Sequence, residues 1–198
     1  MALITKSQLL DKAATEARAH QLYTESGQIN FSQRVLAANS KSASTYGTYD
    51  IFLSHSYQDA RVVKALRDKL VEAGFSVYVD WIEDAQLNRG KVTKDTAKVL
   101  RARMDQSKCL LFMTSDTSKK SVWMPWELGY MDAKTKERVA IAPIVSDHEK
   151  NNEFRGQEYL GIYPYLDLTG DTFYIQTSSK TYVSITRWIQ GANPTFHT

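Results

Sequence analysis

Short apolar runs alternate with amphipathic segments along the chain after residue 48. The runs are YDIFLSH, FSVYVD, CLLFMTS, VAIAPIV and a weaker YPYLDLT, and each predicts a β-strand. Between the first two runs, Val62, Val63, Leu66 and Leu70 form one apolar stripe that ends before Gly74, which predicts an amphipathic helix with a glycine C-terminal signal. The segment TKDTAKVLRARMDQS continues the alternation as a second helix.

This alternation of strands and helices predicts right-handed crossovers and a mostly parallel sheet that is covered on both faces. Coverage on both faces explains why the strand runs are almost continuously apolar. We therefore predict an α/β three-layer sandwich with a five-stranded parallel sheet. Near the C-terminus, Tyr182, Ile185, Trp188 and Ile189 share one helical face of YVSITRWIQG, which predicts a last covering helix.

The first 47 residues differ from the rest, and we predict a helical extension and linker over residues 1–47 and the main domain over residues 48–198. Ile4, Leu9 and Leu10 recur at near-helical spacing, and Thr5 followed by Gln8 resembles a capping box. The Ser-rich stretch NSKSAST predicts the linker.

Composition narrows the classes of function. The chain has 198 residues, of which 42% are hydrophobic and 24% charged, as in an ordinary globular protein with one main domain. The net charge is only +3, with no long block of Lys or Arg, so we expect no nucleic-acid partner.

The single cysteine and the lengths of the apolar stretches indicate in which cellular compartment the protein works. Cys109 cannot form an internal disulfide, and its run CLLFM predicts a buried thiol, which fits a reducing cytoplasm. Every apolar stretch is shorter than the roughly 18 residues that a membrane span needs, and the N-terminal segment lacks a signal-peptide hydrophobic region. We therefore expect a cytoplasmic protein with no membrane partner.

Polar residues follow the predicted strands, and ligands of open parallel sheets bind outside the carboxyl ends of the strands. These residues are Ser54, His55 and Ser56, then Asp80 and Trp81, then Ser115 and Asp116, and finally Ser146 and Asp147. Taken singly, each of these residues is better explained as a helix cap than as a functional residue, and Ser56 with Asp59 has the spacing of a cap.

The segment SVWMPWELGYMDAK is more specific, because it predicts a helix with Pro125 at an early position and Glu127 in the first turn. The positive end of the helix dipole should keep Glu127 ionised at neutral pH and facing the carboxyl edge of the sheet. Trp123 precedes it by about one turn and can place an aromatic face beside the carboxylate. The alternative is that Trp123 and Trp126 only pack in the core and that Glu127 only complements the dipole.

With these motifs in place, the sequence resembles a Toll/interleukin-1 receptor (TIR) domain. The similarity begins with YDIFLSHSYQDARVVKALRDKLVEAGFSVYVD, and it continues through a loop that ends at Arg89-Gly90-Lys91 and through CLLFMTSDTSKKS. The residues from Trp123 to Glu127 match the WxxxE motif of enzymatic TIR domains. The resemblance covers roughly residues 48 to 190 and implies a flavodoxin-like fold.

The resemblance implies that Glu127 is the residue required for cleavage of NAD, which is the substrate and not a bound cofactor. A carboxylate in this place can stabilise the oxocarbenium-like ribose that remains when nicotinamide departs, and no metal is needed. The remaining residues are assigned to substrate binding: Ser54, His55, Ser56, Asp80, Trp81, Ser115, Trp123 beside the nicotinamide, and Arg89 with Lys91 at the pyrophosphate.

The resemblance also implies partners. The product is ADP-ribose, a cyclic isomer or a conjugate, which acts as a signal on a separate effector in Thoeris-like antiphage defence, and the enzyme forms homo-oligomers through TIR–TIR contacts. Two alternatives remain open. One is a non-catalytic self-association or adaptor module that uses the loop around Trp81 and Leu87, and the other is a nucleoside deoxyribosyltransferase-like enzyme that also acts on an N-glycosidic bond.

Overall fold

A computed structural model describes residues 3–10, 47–80, 93–115, 118, 121–145 and 158–197. Its strands are β1 (Ile4–Thr5), β2 (Tyr49–Ser54), β3 (Val77–Tyr78), β4 (Ser107–Thr114), β5 (Val139–Val145), β6 (Tyr165–Thr169), β7 (Thr172–Ser178), β8 (Thr181–Ser184) and β9 (Thr195–Phe196). Its helices are α1 (Ala60–Glu72), α2 (Lys94–Asp105), α3 (Met124–Thr135) and α4 (Ile185–Ile189), with 3₁₀ turns at Tyr57–Asp59 and Glu158–Ile162.

Within these residues, nine strands form one sheet in the order β3–β2–β4–β5–β6–β7–β8–β9, and β1 pairs with β5. The strands from β3 to β6 in that order are parallel and coincide with the five predicted apolar runs. Ile51 of β2 pairs with Val77 of β3 on one side and with Cys109 of β4 on the other. The predicted α/β fold with a central parallel sheet is confirmed.

Helices cover both faces of the sheet and give the three layers. One face packs against α1, α4 and the N-terminal Leu9, through residues that include Val63, Leu66, Leu70, Ile185 and Trp188. The other face packs against α2, α3 and the Glu158–Ile162 turn, through residues that include Leu100, Met104, Leu128, Met131 and Leu160. In the described part of the chain, no helix is both long enough and apolar enough to cross a lipid bilayer.

Helix α1 shows how the sequence sets these elements. Its predicted stripe is buried at Val63, Leu66 and Leu70 and partly buried at Val62, so the helix faces the sheet as its periodicity requires. The chain turns directly after it at Gly74, whose φ of +93° is a conformation that suits glycine.

The amino edge of the sheet is fastened around Asp50. Its carboxylate accepts hydrogen bonds from Lys108 Nζ at 2.8 Å and from Ser76 N and Ser76 Oγ, both at 2.9 Å. Burial acts to raise the pKa of Asp50, but these donors outweigh it and hold the pKa below its ordinary value. Cys109 is buried beside them, as predicted, and donates to Asp50 O, while burial raises the pKa of its thiol.

Two further contacts tie later elements to the same edge. Arg138, directly before β5, donates to Gly191 O, Ala192 O and Asn193 Oδ1 at 2.7 to 3.1 Å, and its guanidinium lies over Trp188. Tyr163 donates to Asp132 Oδ2 at 3.1 Å, and burial together with this bond raises the pKa of Tyr163 to about 12.

The C-terminal region corrects one prediction. Strands β7, β8 and β9 add antiparallel pairs to the sheet, and the predicted covering helix is only the short α4. Tyr182 lies in β8 opposite Gln176 instead of on the helix, although Ile185 and Trp188 are buried as expected. Pairing with the neighbouring β7 outweighs the helical periodicity of a segment this short.

The N-terminal residues are part of the sheet. The capping box is confirmed, since Thr5 N donates to Gln8 Oε1 at 2.8 Å, Gln8 N donates to Thr5 Oγ1 at 3.3 Å, and residues 6–10 are helical. Ile4, however, lies in β1 opposite Ile144 and is fully buried. The rest of the predicted extension falls on residues 11–46, outside the described residues, and the division at residue 47 stays a prediction.

Candidate active site

The start of α3 sets the direction of Glu127. Ser121 Oγ accepts a hydrogen bond from Met124 N at 3.3 Å, and Pro125 lies in the first turn, where its missing N–H costs no hydrogen bond. Glu127 N donates to Trp123 O at 2.9 Å, which completes the first turn of the helix. The predicted placement of Pro125 and Glu127 is confirmed, and the carboxylate lies near the positive end of the helix dipole.

The carboxylate of Glu127 meets the end of β2. Ser54 Oγ donates to Glu127 Oε2 at 2.6 Å, and both residues are 0% exposed. Burying a carboxylate costs free energy unless hydrogen bonds compensate for the lost water. The serine hydroxyl therefore orients Glu127 from a different element of the fold, and Glu127 does more than complement the helix dipole.

Trp123 packs directly before Glu127. Its side chain is buried, and its ring makes an edge-to-face contact with Trp126, with 5.5 Å between the ring centroids. Trp126 in turn stacks on Tyr130. Trp123 thus belongs to the core on this face of the sheet, and it also lies one turn before the carboxylate.

The strand order reverses between β2 and β4, because the chain leaves β2 for β3 on one side and later returns to β4 on the other. Ligands of open α/β sheets bind at such a point. Here Ser115, directly after β4, donates from Oγ to Asp59 Oδ2 at 2.5 Å. This bond joins the segments that follow β2 and β4, and Ser118 Oγ donates to Ser115 O at 2.8 Å within the segment after β4.

The other flank of β2 carries a buried pair. His55 and Asp80 are 1% and 2% exposed, and His55 Nε2 lies 3.3 Å from Asp80 Oδ1. His55 Nδ1 is 2.8 Å from Leu53 O. Ser54, His55, Asp59, Asp80, Ser115 and Glu127 are therefore gathered along one edge of the sheet, around the ends of three neighbouring strands.

The sequence profile of the TIR domain family matches residues 51–180. This chain belongs to the TIR domain family. The matched segment contains residues 51–54 of β2 and all of α3, and hence both partners of the Ser54–Glu127 hydrogen bond. Membership favours the TIR interpretation over the deoxyribosyltransferase-like alternative.

Two curated relatives are similar to the chain. A protein named probable 3′ cyclic ADP-D-ribose synthase ThsB′, from Bacillus cereus (strain MSX-D12), is 40% identical over 196 residues, which cover 96% of this chain and 99% of the relative. A protein named putative cyclic ADP-D-ribose synthase TIR2, from Cytobacillus dafuensis, is 40% identical over 83 residues, which cover 41% of this chain and 22% of that protein.

The fold brings together some of the residues that the sequence assigned to the TIR site. Ser54, His55, Ser56, Asp80, Ser115, Trp123 and Glu127 lie at this edge, and all except Ser115 are buried. Trp81, Arg89 and Lys91 lie outside the described residues. The roles in substrate binding, and the expectation that the site needs no metal, stay predictions.

The sequence indicates Asp59 only as a helix cap, together with Ser56. Neither side chain makes a capping hydrogen bond to the turn or the helix that it precedes, and Asp59 instead accepts the bond from Ser115. The signal in the sequence that points to Asp59 is its acidic side chain, which comes shortly after β2, the strand beside which the sheet reverses its order. The sequence could not identify Ser115 as the partner, because the two residues are 56 positions apart.

Proposed function

We propose that this TIR protein is an enzyme that cleaves NAD at its nicotinamide–ribose bond and closes the remaining ADP-ribose into a cyclic product, with Glu127 as the catalytic carboxylate. The observation that carries the proposal is the fully buried Glu127 carboxylate, held by Ser54 at the reversal point of the sheet. The names of the two relatives support the cyclic product. The 96% coverage of this chain by the ThsB′ relative supports an activity that belongs to the whole chain.

The proposed reaction begins with departure of nicotinamide. The bond between the ribose carbon C1 and the pyridinium nitrogen breaks, its electron pair goes to the nitrogen, and nicotinamide leaves as a neutral molecule. Positive charge develops on the ribose, and a carboxylate held in a water-poor site stabilises that charge strongly. Glu127 supplies this carboxylate without reorganisation, because Ser54 and the first turn of α3 already fix its position.

A hydroxyl of the second ribose then completes the cycle. Its oxygen bonds to the ribose carbon, its proton is released, and the products are nicotinamide, cyclic ADP-ribose and one proton. By similarity to the ThsB′ relative, we propose that the 3′ hydroxyl is the acceptor. Water in the same place would give linear ADP-ribose, so the buried surroundings of Glu127 favour ring closure by excluding water.

Trp123 is proposed to border the nicotinamide, and Arg89 with Lys91 to meet the pyrophosphate. The biological setting that we propose is antiphage defence, in which the cyclic product activates a separate effector and the enzyme works as a cytoplasmic homo-oligomer. If the products of the active enzyme activate no effector, the signalling role is excluded and the enzymatic one is not.

The test uses three purified full-length proteins at high concentration: wild type, Glu127→Gln, and Glu137→Gln as the matched control. Glu137 is an exposed glutamate in the turn after α3, so the same substitution there leaves the site intact. Each protein is incubated with NAD, nicotinamide release is followed, and linear and cyclic ADP-ribose are separated by chromatography. We expect wild type and Glu137→Gln to form a cyclic product and Glu127→Gln to release no nicotinamide. Equal release by Glu127→Gln and wild type would contradict the role of Glu127.

A further inference from the structure

The His55–Asp80 pair was assigned to substrate binding from the sequence, but its geometry points to a different task. Both side chains are almost completely buried and face each other. The second ring nitrogen of His55 also has a protein partner, since Nδ1 lies 2.8 Å from Leu53 O. Both polar atoms of the imidazole are thus directed at protein groups and not at a ligand.

The two contacts define how the imidazole of His55 is oriented. A carbonyl oxygen only accepts hydrogen bonds, so Nδ1 carries a hydrogen and donates it to Leu53 O. This bond turns Nε2 towards the Asp80 carboxylate, and Nε2 lies within ion-pair distance of Asp80 Oδ1, at 3.3 Å.

The position of the His55–Asp80 pair indicates that it holds the end of β2 beside the end of β3. The backbone pairing of β2 with β3 ends at Phe52 opposite Tyr78, whereas the pairing of β2 with β4 continues to Ser54 opposite Phe112. At Ser54 the β2 strand is therefore fastened to β4 by backbone pairing. On the β3 side, the connection beyond Tyr78 runs from His55 to Asp80.

Stability alone does not account for such a pair. Taking an imidazole and a carboxylate out of water is costly, and a buried ion pair is often no more stable than apolar residues of similar size. The pair does, however, fix the residue that directly follows Ser54, and the hydroxyl of Ser54 must point at Glu127 for their 2.6 Å hydrogen bond to form.

We propose that His55 and Asp80 are positioning residues that fix the end of β2 and so direct the Ser54 hydroxyl onto the Glu127 carboxylate. The pair acts through Ser54 and does not touch the substrate. This inference rests on the proposed NAD cleavage for its kinetic test, but the geometry that it describes can be measured without any reaction.

The kinetic test compares Asp80→Asn and His55→Asn with wild type. His55→Asn retains a donor near Leu53 O and loses the contact with Asp80. For both variants we expect kcat to fall about tenfold, with KM for NAD changed by less than about threefold, because the lost interaction matters in the transition state. Asp50→Asn is the matched control at the opposite edge of the sheet, and its kcat should equal that of wild type.

A double substitution separates positioning from a general structural effect. In a Ser54→Ala background, Asp80→Asn should cause no further loss of kcat, since its effect passes through the missing hydroxyl. A rise in KM with kcat retained would mean that the pair contacts substrate, and additive losses in the double variant would mean that it acts independently of Ser54. Either result would overturn the proposal.

A second readout does not depend on activity. With ¹³C-labelled glutamate carboxyl groups, the NMR signal of Glu127 is identified by its loss in Glu127→Gln. We expect Asp80→Asn to move this signal in the same direction as Ser54→Ala does. An unmoved signal overturns the positioning role, even in an active enzyme. If the signal moves but wild type releases no nicotinamide, the positioning role stands and the proposed NAD cleavage fails.

Discussion

The two edges of the parallel sheet are both rich in polar side chains, but they use them differently. At the amino edge, Asp50 accepts bonds from Lys108 and Ser76, and Arg138 reaches three oxygen atoms of the C-terminal segment. At the carboxyl edge, the contact described for Glu127 is a hydroxyl and the one described for Asp80 is an imidazole. The first edge joins opposite charges and backbone carbonyls, whereas the second places carboxylates beside hydroxyl groups and an imidazole.

This difference indicates that the amino edge stabilises the fold, whereas the carboxyl edge positions carboxylates for chemistry. A Lys or Arg partner neutralises a carboxylate, which stabilises the fold and leaves little charge for a ligand. A hydroxyl group orients a carboxylate by donating a hydrogen bond, but it is neutral and does not cancel the negative charge of the carboxylate. The amino edge should therefore respond to substitution with lost stability, and the carboxyl edge with lost activity.

The largest effect is expected for a matched pair of serines, each of which donates to a carboxylate. Ser54→Ala should lower kcat for NAD about 100-fold, because one preorganised donor at a charged catalytic group is worth that much. Ser76→Ala should leave kcat unchanged and lower the free energy of unfolding by about 1 kcal/mol, the net value of a typical hydrogen bond. Kinetics and chemical denaturation of both variants provide the check. Equal losses of kcat would remove the distinction between the edges.

Arg138→Ala tests the fastening of the C-terminal segment. The variant loses hydrogen bonds to Gly191, Ala192 and Asn193 and the contact with Trp188, so we expect the free energy of unfolding to fall by about 2 kcal/mol. Urea denaturation measures this loss, and kcat measured well below the melting temperature should match wild type. A large fall in kcat in the folded variant would show that the amino edge also shapes the active site.

Asp50→Asn tests the charge at the amino edge through pH. Because the folded state holds the pKa of Asp50 below its ordinary value of 3.8, the carboxylate stabilises the fold above that value, and the stabilisation is lost as pH falls through the lower, folded pKa. We expect wild type to be more stable than Asp50→Asn by about 1 kcal/mol at neutral pH, and the difference to shrink in acid. Denaturation curves at neutral pH and at pH values below 3.8 test this, and a pH-independent difference would contradict it.

The smallest effect concerns Thr5, which lies at the carboxyl edge but far from the reversal point, opposite Val145. Thr5→Ala removes one half of the capping box and should lower the unfolding free energy by about 0.5 to 1 kcal/mol, with kcat unchanged. A loss of kcat would mean that sensitivity extends along the whole edge and is not confined to β2, β3 and β4. Thermal denaturation and kinetics distinguish the two results.

The parallel core of the fold was predictable because its strands are buried on both faces and are therefore continuously apolar. The segments that escaped prediction lack this signal. The strand β1 has only two residues and a partner about 140 positions away, and β8 overlaps a stretch in which Tyr182, Ile185 and Trp188 mimic a helical face. In both cases the deciding interaction is a pairing with another segment, which local periodicity does not record.

The candidate site was also predictable only in part, because local sequence indicates positions but not contacts between distant segments. The positions of Ser54, Asp80 and Glu127 at strand and helix ends were predicted correctly. Which residue meets which did not follow, because His55–Asp80 and Asp59–Ser115 are contacts between segments far apart in sequence. For this reason the pairing of His55 with Asp80 changed its proposed role from binding substrate to positioning Ser54.

The pairing of β1 with β5 has a consequence for the order of events during synthesis. Ile4 is translated about 140 residues before its partner Ile144, which at ribosomal rates of 5–20 residues per second is a delay of roughly 7 to 30 s. Throughout that interval the nascent chain carries Ile4 and Leu9, both destined for full burial, with no sheet to receive them. Strand β1 can thus dock only after β5 has been synthesised, and a chaperone that binds nascent apolar segments would find its target there.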